Sequence, residues 1–109
     1  MNASPKVSVN IAVKDRRALL ARCLDGLAAQ SFRDFEVVVV DNGSTDGTAE
    51  EAATREHEFP LTIVTELGSL GAVRNAGVRA SRGDLVAFVD SDCVPTPDWL
   101  AHGIAAFAD

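Results

Sequence analysis

Four consecutive valines, Val37 to Val40, follow Phe35 and Glu36 and stop at Asp41-Asn42-Gly43-Ser44-Thr45-Asp46-Gly47. An unbroken β-branched run of this kind suits a strand covered on both faces, as in a parallel sheet, because polar alternation is kept only where one face meets water. The segment after it is dense in turn formers, so the chain leaves the sheet there.

The rest of the chain alternates in the same way. Val7-Ser8-Val9-Asn10-Ile11-Ala12-Val13 has apolar residues at every second position and reads as a first strand. Leu20, Cys23, Leu24 and Leu27 recur at steps of three and four, one face of an amphipathic helix spanning roughly Arg16 to Gln30. The end of the 41–47 loop supplies N-cap candidates for a second helix, with Glu50 and Glu51 in its first turn. That helix is expected to run to about Glu58, on a small apolar face of Ala49, Ala52 and Ala53, and Pro60 ends it. Leu61 to Thr65 reads as the third strand, and Leu70, Val73, Gly77 and Ala80 mark the third helix. Asp84 to Val89 reads as the fourth strand. A last helix follows, with Thr96 as N-cap, Pro97 at the first helical position and an apolar stripe of Leu100, Ile104 and Phe107.

The order β-α-β-α-β-α-β-α predicts a three-layer α/β/α domain: a mostly parallel, Rossmann-like sheet with right-handed crossovers and helices on both faces. Ligands of such sheets sit at the carboxyl ends of the strands, where the strand order reverses. Asp15, Asp41, Asp90 and Asp92 all fall just after a strand.

A length of 109 residues fits one small domain. The formal charge of -6 argues against nucleic acid as the main partner, since a phosphate backbone wants a basic stripe. It says nothing against a single nucleotide. The start, Met1-Asn2-Ala3-Ser4-Pro5-Lys6, has no signal pattern, and the two cysteines, Cys23 and Cys93, fit a reducing cytosol. The expected location is cytoplasmic, with membrane association left to a full-length context.

Three segments carry chemistry. Val89-Asp90-Ser91-Asp92 ends an apolar strand with two carboxylates one residue apart, oxygen donors that suit Mg²⁺ or Mn²⁺. Phosphate oxygens or water would have to complete such a site. The plainer alternative is a pair of solvated turn carboxylates. Asp41-Asn42-Gly43-Ser44-Thr45-Asp46-Gly47 could read a base or ribose, or could merely cap a helix. In Gly68 to Gly77 the glycines permit a tight turn into the helix and close helix-to-sheet packing, and Arg74 stands where a guanidinium could meet phosphate or a site carboxylate. Neither GxxxxGK[ST] nor GxGxxG is present.

These segments, with Lys6-Val7-Ser8-Val9 at the start and Gly83-Asp84 before the fourth strand, resemble family 2 glycosyltransferases of the GT-A fold from about Lys6 to Phe107. The resemblance implies a nucleotide-sugar-binding, N-terminal GT-A domain over residues 1–109, cut after the fourth strand and incomplete. Asp92 and Asp90 would be the DxD carboxylates holding Mn²⁺ or Mg²⁺ and the ribose-diphosphate, with Ser91 between them in the nucleotide site. Asp41 and Asn42 would sit at the nucleobase and Arg74 near the diphosphate. Ala12, Val13 and Asp15 would line the pocket after the first strand. A nucleoside diphosphate sugar is the implied donor, and the acceptor would be a glycan or a lipid-linked hydroxyl. The implied reaction is metal-assisted transfer with inversion, which needs a general base. No catalytic residue is assigned within the chain, and Asp109 reads as a helix-end residue.

The chain departs from the family at Ala12, usually Pro; at Asp15, usually Asn; at Asn42, usually Asp; and at Cys93, often Asp. Asn10 occupies a usually apolar strand position and needs hydrogen-bond partners if buried. His57 and His102 read as surface residues, Cys23 as core, Trp99 as packing for the last helix, and Asp34 and Glu36 as solvated flanks of the second strand. The competing function is a truncated or degenerate binding module without catalysis. A cut sheet edge also predicts a homo-oligomer, which light scattering at high concentration checks: a strictly monomeric chain would contradict it.

Overall fold

A computed structural model describes residues 4–107. The elements are β1 (Val7–Val13), α1 (Arg17–Ala28), β2 (Phe35–Asp41), α2 (Thr48–Ala53), β3 (Leu61–Thr65), α3 (Leu70–Ala80), β4 (Leu85–Phe88) and α4 (Trp99–Phe107). The strands form one parallel sheet in the order β3-β2-β1-β4. From β1 the chain first winds one way, to β2 and β3, then returns to place β4 on the other side. The switch point therefore lies between β1 and β4, where the expected site residues end these strands.

The two faces of the sheet are covered unequally. On one face Val9, Ile11, Val37 and Val39 pack with Leu20, Cys23, Leu24 and Leu27 of α1, with Ala52, and with Leu100 of α4. Each fully buried leucine there contributes about 2 kcal/mol of apolar burial. On the other face Val38 and Val40 meet only Val73 and Ala76 of α3 among the fully buried residues. All seven residues of β2 are buried, as the valine run predicts.

Where α3 does not reach, the second face is polar. Glu36 is only 1% exposed, so its expected place in solvent is wrong. The period of two puts it on the same face as Val38 and Val40, beneath the turn from α3 into β4. Its carboxylate accepts from the Ser8 hydroxyl at 2.6 Å, the Arg82 backbone N–H at 2.6 Å and Arg82 Nε at 3.1 Å. Asp34 is exposed as expected.

Boundaries of two helices, α2 and α4, move. The α2 helix ends at Ala53 rather than near Glu58. Its continuation is a set of tight turns, Thr54 N–H to Glu51 O and Arg55 N–H to Ala52 O, because Ala52 alone of its three expected apolar residues is buried. The first turn of α2 is capped through Asp46, whose carboxylate accepts from Thr48 N–H at 3.0 Å. The α4 helix starts at Trp99, not Pro97. Pro97 O is drawn away to Ser31 N–H at 2.7 Å, and Thr96 turns its hydroxyl to Asp98 instead of to the helix. Of the α4 stripe, Leu100 is buried and Phe107 stands 74% exposed. No described helix is long and apolar enough to cross a membrane.

Candidate functional site

The carboxyl edge of the sheet is shaped by three loops that brace one another. Asp15 takes φ 51°, a left-handed conformation that aspartate tolerates better than most residues. From there its N–H donates to Ser44 Oγ at 2.8 Å and its carboxylate accepts from Thr45 N–H at 2.7 Å. Asp41, 5% exposed, is turned into its own loop and accepts from the N–H and hydroxyl of Ser44. Asn42 N–H donates to Val13 O at 2.9 Å, and its side chain pairs at both ends with Gly68: Nδ2 to Gly68 O at 3.1 Å, Gly68 N–H to Oδ1 at 3.2 Å. Gly68 has φ 141°, open only to glycine, so this clasp depends on that residue.

Between these loops and the end of β4 lies an open cleft of about 410 Å³. That volume is in the range of small-molecule sites. Of the residues expected from the sequence, Ala12, Val13, Asn42, Asp90, Ser91 and Asp92 line it. Asp15 does not; it borders a separate hollow with Arg17 and Asp46. Asp41 does not line the cleft either, because its carboxylate is spent on Ser44. Arg74 lines a smaller inner cavity of about 100 Å³ that shares Ala12, Leu70, Val73 and Asp90 with the cleft. Its guanidinium lies 5.7 Å from the Phe88 ring centroid, a cation-π distance.

The cleft also takes in Lys14, Arg16, Leu70 and Val73, which the sequence reading did not assign to it. The signal for Lys14 and Arg16 was present, since both flank Asp15 just past the first strand. Arg16 Nη1 stands 4.0 Å from Asp92 Oδ2, with both side chains about half exposed. Such a pair is weak and easily exchanged for a ligand.

The Asp90 to Cys93 turn is set by the sheet. Val89 N–H donates to Asn10 O at 3.1 Å, extending the β1-β4 ladder, and Cys93 N–H closes the turn onto Asp90 O at 3.0 Å. Ligand atoms of Asp90, Asp92 and Cys93 lie within 4.8 Å of one another, and all three residues are exposed. Two carboxylates at this separation fit a hard divalent cation, and Cys93 adds a softer donor beside them. Burial pushes the Cys23 thiol up to about 12, with Cys93, Asp92 and Asp90 adding to the effect. Cys23 is a core residue, as its helix position predicted. His57 and His102 are exposed, and His102 pairs with Asp98 at 3.4 Å.

The family described as Glycosyl transferase family 2 matches residues 8–109. The chain belongs to this family. It is 37% identical over 109 residues to the glycosyltransferase AglE of Haloferax volcanii, covering 95% of this chain and 36% of AglE. Its fold matches Staphylococcus aureus TarS 1-349 in complex with UDP-GlcNAc, with a TM-score of 0.88 and 31% identity over 94% of this chain and 31% of that one. It also matches the mannosyltransferase PcManGT of Pyrobaculum calidifontis in complex with GDP-Man and Mn²⁺, with a TM-score of 0.85 and 32% identity over 98% of this chain and 33% of that one. The sheet is thus of the GT-A type. The chain spans about a third of the length of these relatives.

Proposed function

We propose that this chain is the donor-binding part of a glycosyltransferase. It holds the nucleoside diphosphate of a sugar donor in the cleft between β1 and β4, and the sugar passes with inversion to an acceptor hydroxyl of a glycan or lipid-linked substrate. The observation that carries this is the convergence of Ala12, Val13, Asn42, Asp90, Ser91 and Asp92 on one cleft at the switch point. The relatives crystallised with UDP-GlcNAc and with GDP-Man and Mn²⁺ support it.

In this proposal Asn42 and the Gly68 clasp shape the nucleobase end. Asp41 and Asp15 hold the surrounding loops in place and do not touch the base. Lys14 and Arg16 offer cations to the diphosphate across the cleft, and Arg74 does so from the inner cavity. Asp90 and Asp92 would hold Mn²⁺ or Mg²⁺, which when bound neutralises the charge that develops on the leaving diphosphate. No general base is assigned among the described residues, and Asp109 lies outside them.

Calorimetric titration with UDP, dTDP and GDP, each with and without Mn²⁺, tests this proposal. We expect metal-dependent binding of one nucleotide, weakened at least tenfold in Asp92→Ala. Binding that ignores both Mn²⁺ and the Asp92→Ala change would remove the metal from the proposal. Absence of nucleotide binding would favour an interaction module.

A further inference from the structure

Two strands end the sheet, β3 and β4. Of the two, only β4 leaves large apolar side chains exposed, Val86 and Phe88. Both lie on the α3 side of the sheet, while Leu85 and Ala87 turn to the other face and join the core beneath α1. On that other face α4 borders the same edge: Trp99, Ile104 and Phe107 line an apolar groove along β4, and Phe107 stands out of it into solvent. A Cβ on Gly103, in the same groove, would meet no described residue within 4 Å.

The backbone is open along the same line. Leu85 N–H donates to Lys6 O and Val89 N–H to Asn10 O, both at 3.1 Å. In a parallel ladder the N–H and C=O of one residue point to the same side, and the side alternates along the strand. Those of Asp84, Val86 and Phe88 therefore point away from β1. Neither lysine nor proline blunts this stretch, so it is a template for another strand.

We infer that the β4 edge pairs with the β4 edge of a second copy of this chain, antiparallel about a two-fold axis at Val86. Charge selects this register. Outward backbone groups must meet, so even-numbered residues oppose even-numbered ones, and two registers keep the pairing central. In one, Ala87 opposes its own copy and Asp84 falls opposite Asp90, a pair of like charges that destabilises the ladder. In the other, Val86 opposes Val86, Leu85 opposes Ala87, and Asp84 opposes Phe88. The Arg74 guanidinium lies over the Phe88 ring, 5.7 Å from its centroid. The Asp84 carboxylate is exposed and held only by Lys6 Nζ at 3.9 Å. The second register thus brings each Asp84 beside the Arg74 cation of the other copy, twice over by symmetry. It also joins the outward groups of Asp84, Val86 and Phe88 in a ladder of about six hydrogen bonds.

Sedimentation velocity over a wide concentration range tests this inference. Wild type is expected to dimerise at high concentration. Asp84→Lys makes an acidic chain less negative, so relief of general repulsion would strengthen association. The proposed register instead sets the new lysine beside Arg74 and weakens association about tenfold. An unchanged urea midpoint checks that this exposed substitution leaves the fold intact. Val86→Pro removes only an outward N–H and should give a folded monomer. Disulfide trapping reads the register in a Cys93→Ser background. Val86→Cys places two Cα atoms about 5.5 Å apart, within reach of a disulfide, and should yield a covalent dimer. Phe88→Cys leaves its two thiols roughly 14 Å apart and should not. A wild type that stays monomeric up to its solubility limit overturns the inference. So does a dimer unchanged in Asp84→Lys, or trapping through Phe88→Cys and not through Val86→Cys. None of these measurements involves a nucleotide, so the inference stands or falls apart from the donor-cleft reading.

Discussion

Glu36→Ala is expected to destabilise the chain by about 2–3 kcal/mol, measured as a lower urea midpoint at unchanged slope. The substitution strands the Ser8 hydroxyl and the Arg82 backbone N–H, which now bond the carboxylate at 2.6 Å each. The Arg82 side chain is 58% exposed, so its charge stays in water after the change. That keeps the cost below the roughly 3–5 kcal/mol of breaking a fully buried pair. The effect should reach the site. Ser8 Oγ also accepts from Gly83 N–H at 2.8 Å, and a Cβ on Gly83 would stand 2.7 Å from Ser8 N. Glu36, Ser8 and Gly83 together hold the start of β4 against β1, and β4 carries Asp90 and Asp92 at its other end.

The same carboxylate makes the effect depend on pH. Burial pushes the Glu36 pKa up, but the Ser8 hydroxyl and the Arg82 N–H and guanidinium outweigh it, leaving the pKa below its ordinary value. A depressed carboxylate pKa contributes stability that is present above the unfolded-state pKa and is lost as pH falls through the folded one. The gap between wild type and Glu36→Ala should therefore be full at neutral pH and narrow below about pH 4.

Gln30→Ala is expected to cost a similar amount, about 3 kcal/mol, with loss of helical signal from α4. Gln30 is 2% exposed and ties three backbone groups together. Its Nε2 donates to Gly26 O at 3.1 Å and to Thr96 O at 2.6 Å, and its Oε1 accepts from Leu100 N–H at 3.0 Å. The first turn of α4 is thus capped by a side chain from just beyond the end of α1, in place of the expected Thr96. Gln30→Glu keeps the acceptor and loses both donations, setting a carboxylate against two carbonyls, and should be at least as damaging. Hydrogen exchange at the Leu100 amide checks the mechanism: protection unchanged in Gln30→Ala would refute it.

Much of the architecture could be read along the chain. The strand-helix alternation, the two-sided burial of β2 and the α1 stripe follow from periodicities of two and 3.6, which depend only on local backbone geometry. The placement of Asp90 and Asp92 at the switch point follows from the same alternation. Less legible were side chains whose partners are far away in sequence. Glu36 and Asp34 look alike as acidic flanks of a valine run, yet Glu36 is buried and Asp34 is not. Arg74 and Val73 adjoin, yet Val73 lines the cleft and Arg74 only the inner cavity.

The fold class, the parallel sheet, the edge that carries the cleft and the family were all legible in the chain, because these rest on local patterns and on motifs in order. Which polar residues face the cleft and which hold it together depends on contacts between distant elements, and so emerged only from the packed chain. Asp15, Asp41, Glu36 and Gln30 are all polar residues at or near strand or helix ends, and nothing local distinguishes them from cleft-lining residues such as Asp90. A buried polar group settles wherever its hydrogen bonds can be completed, and here the partners lie on other elements.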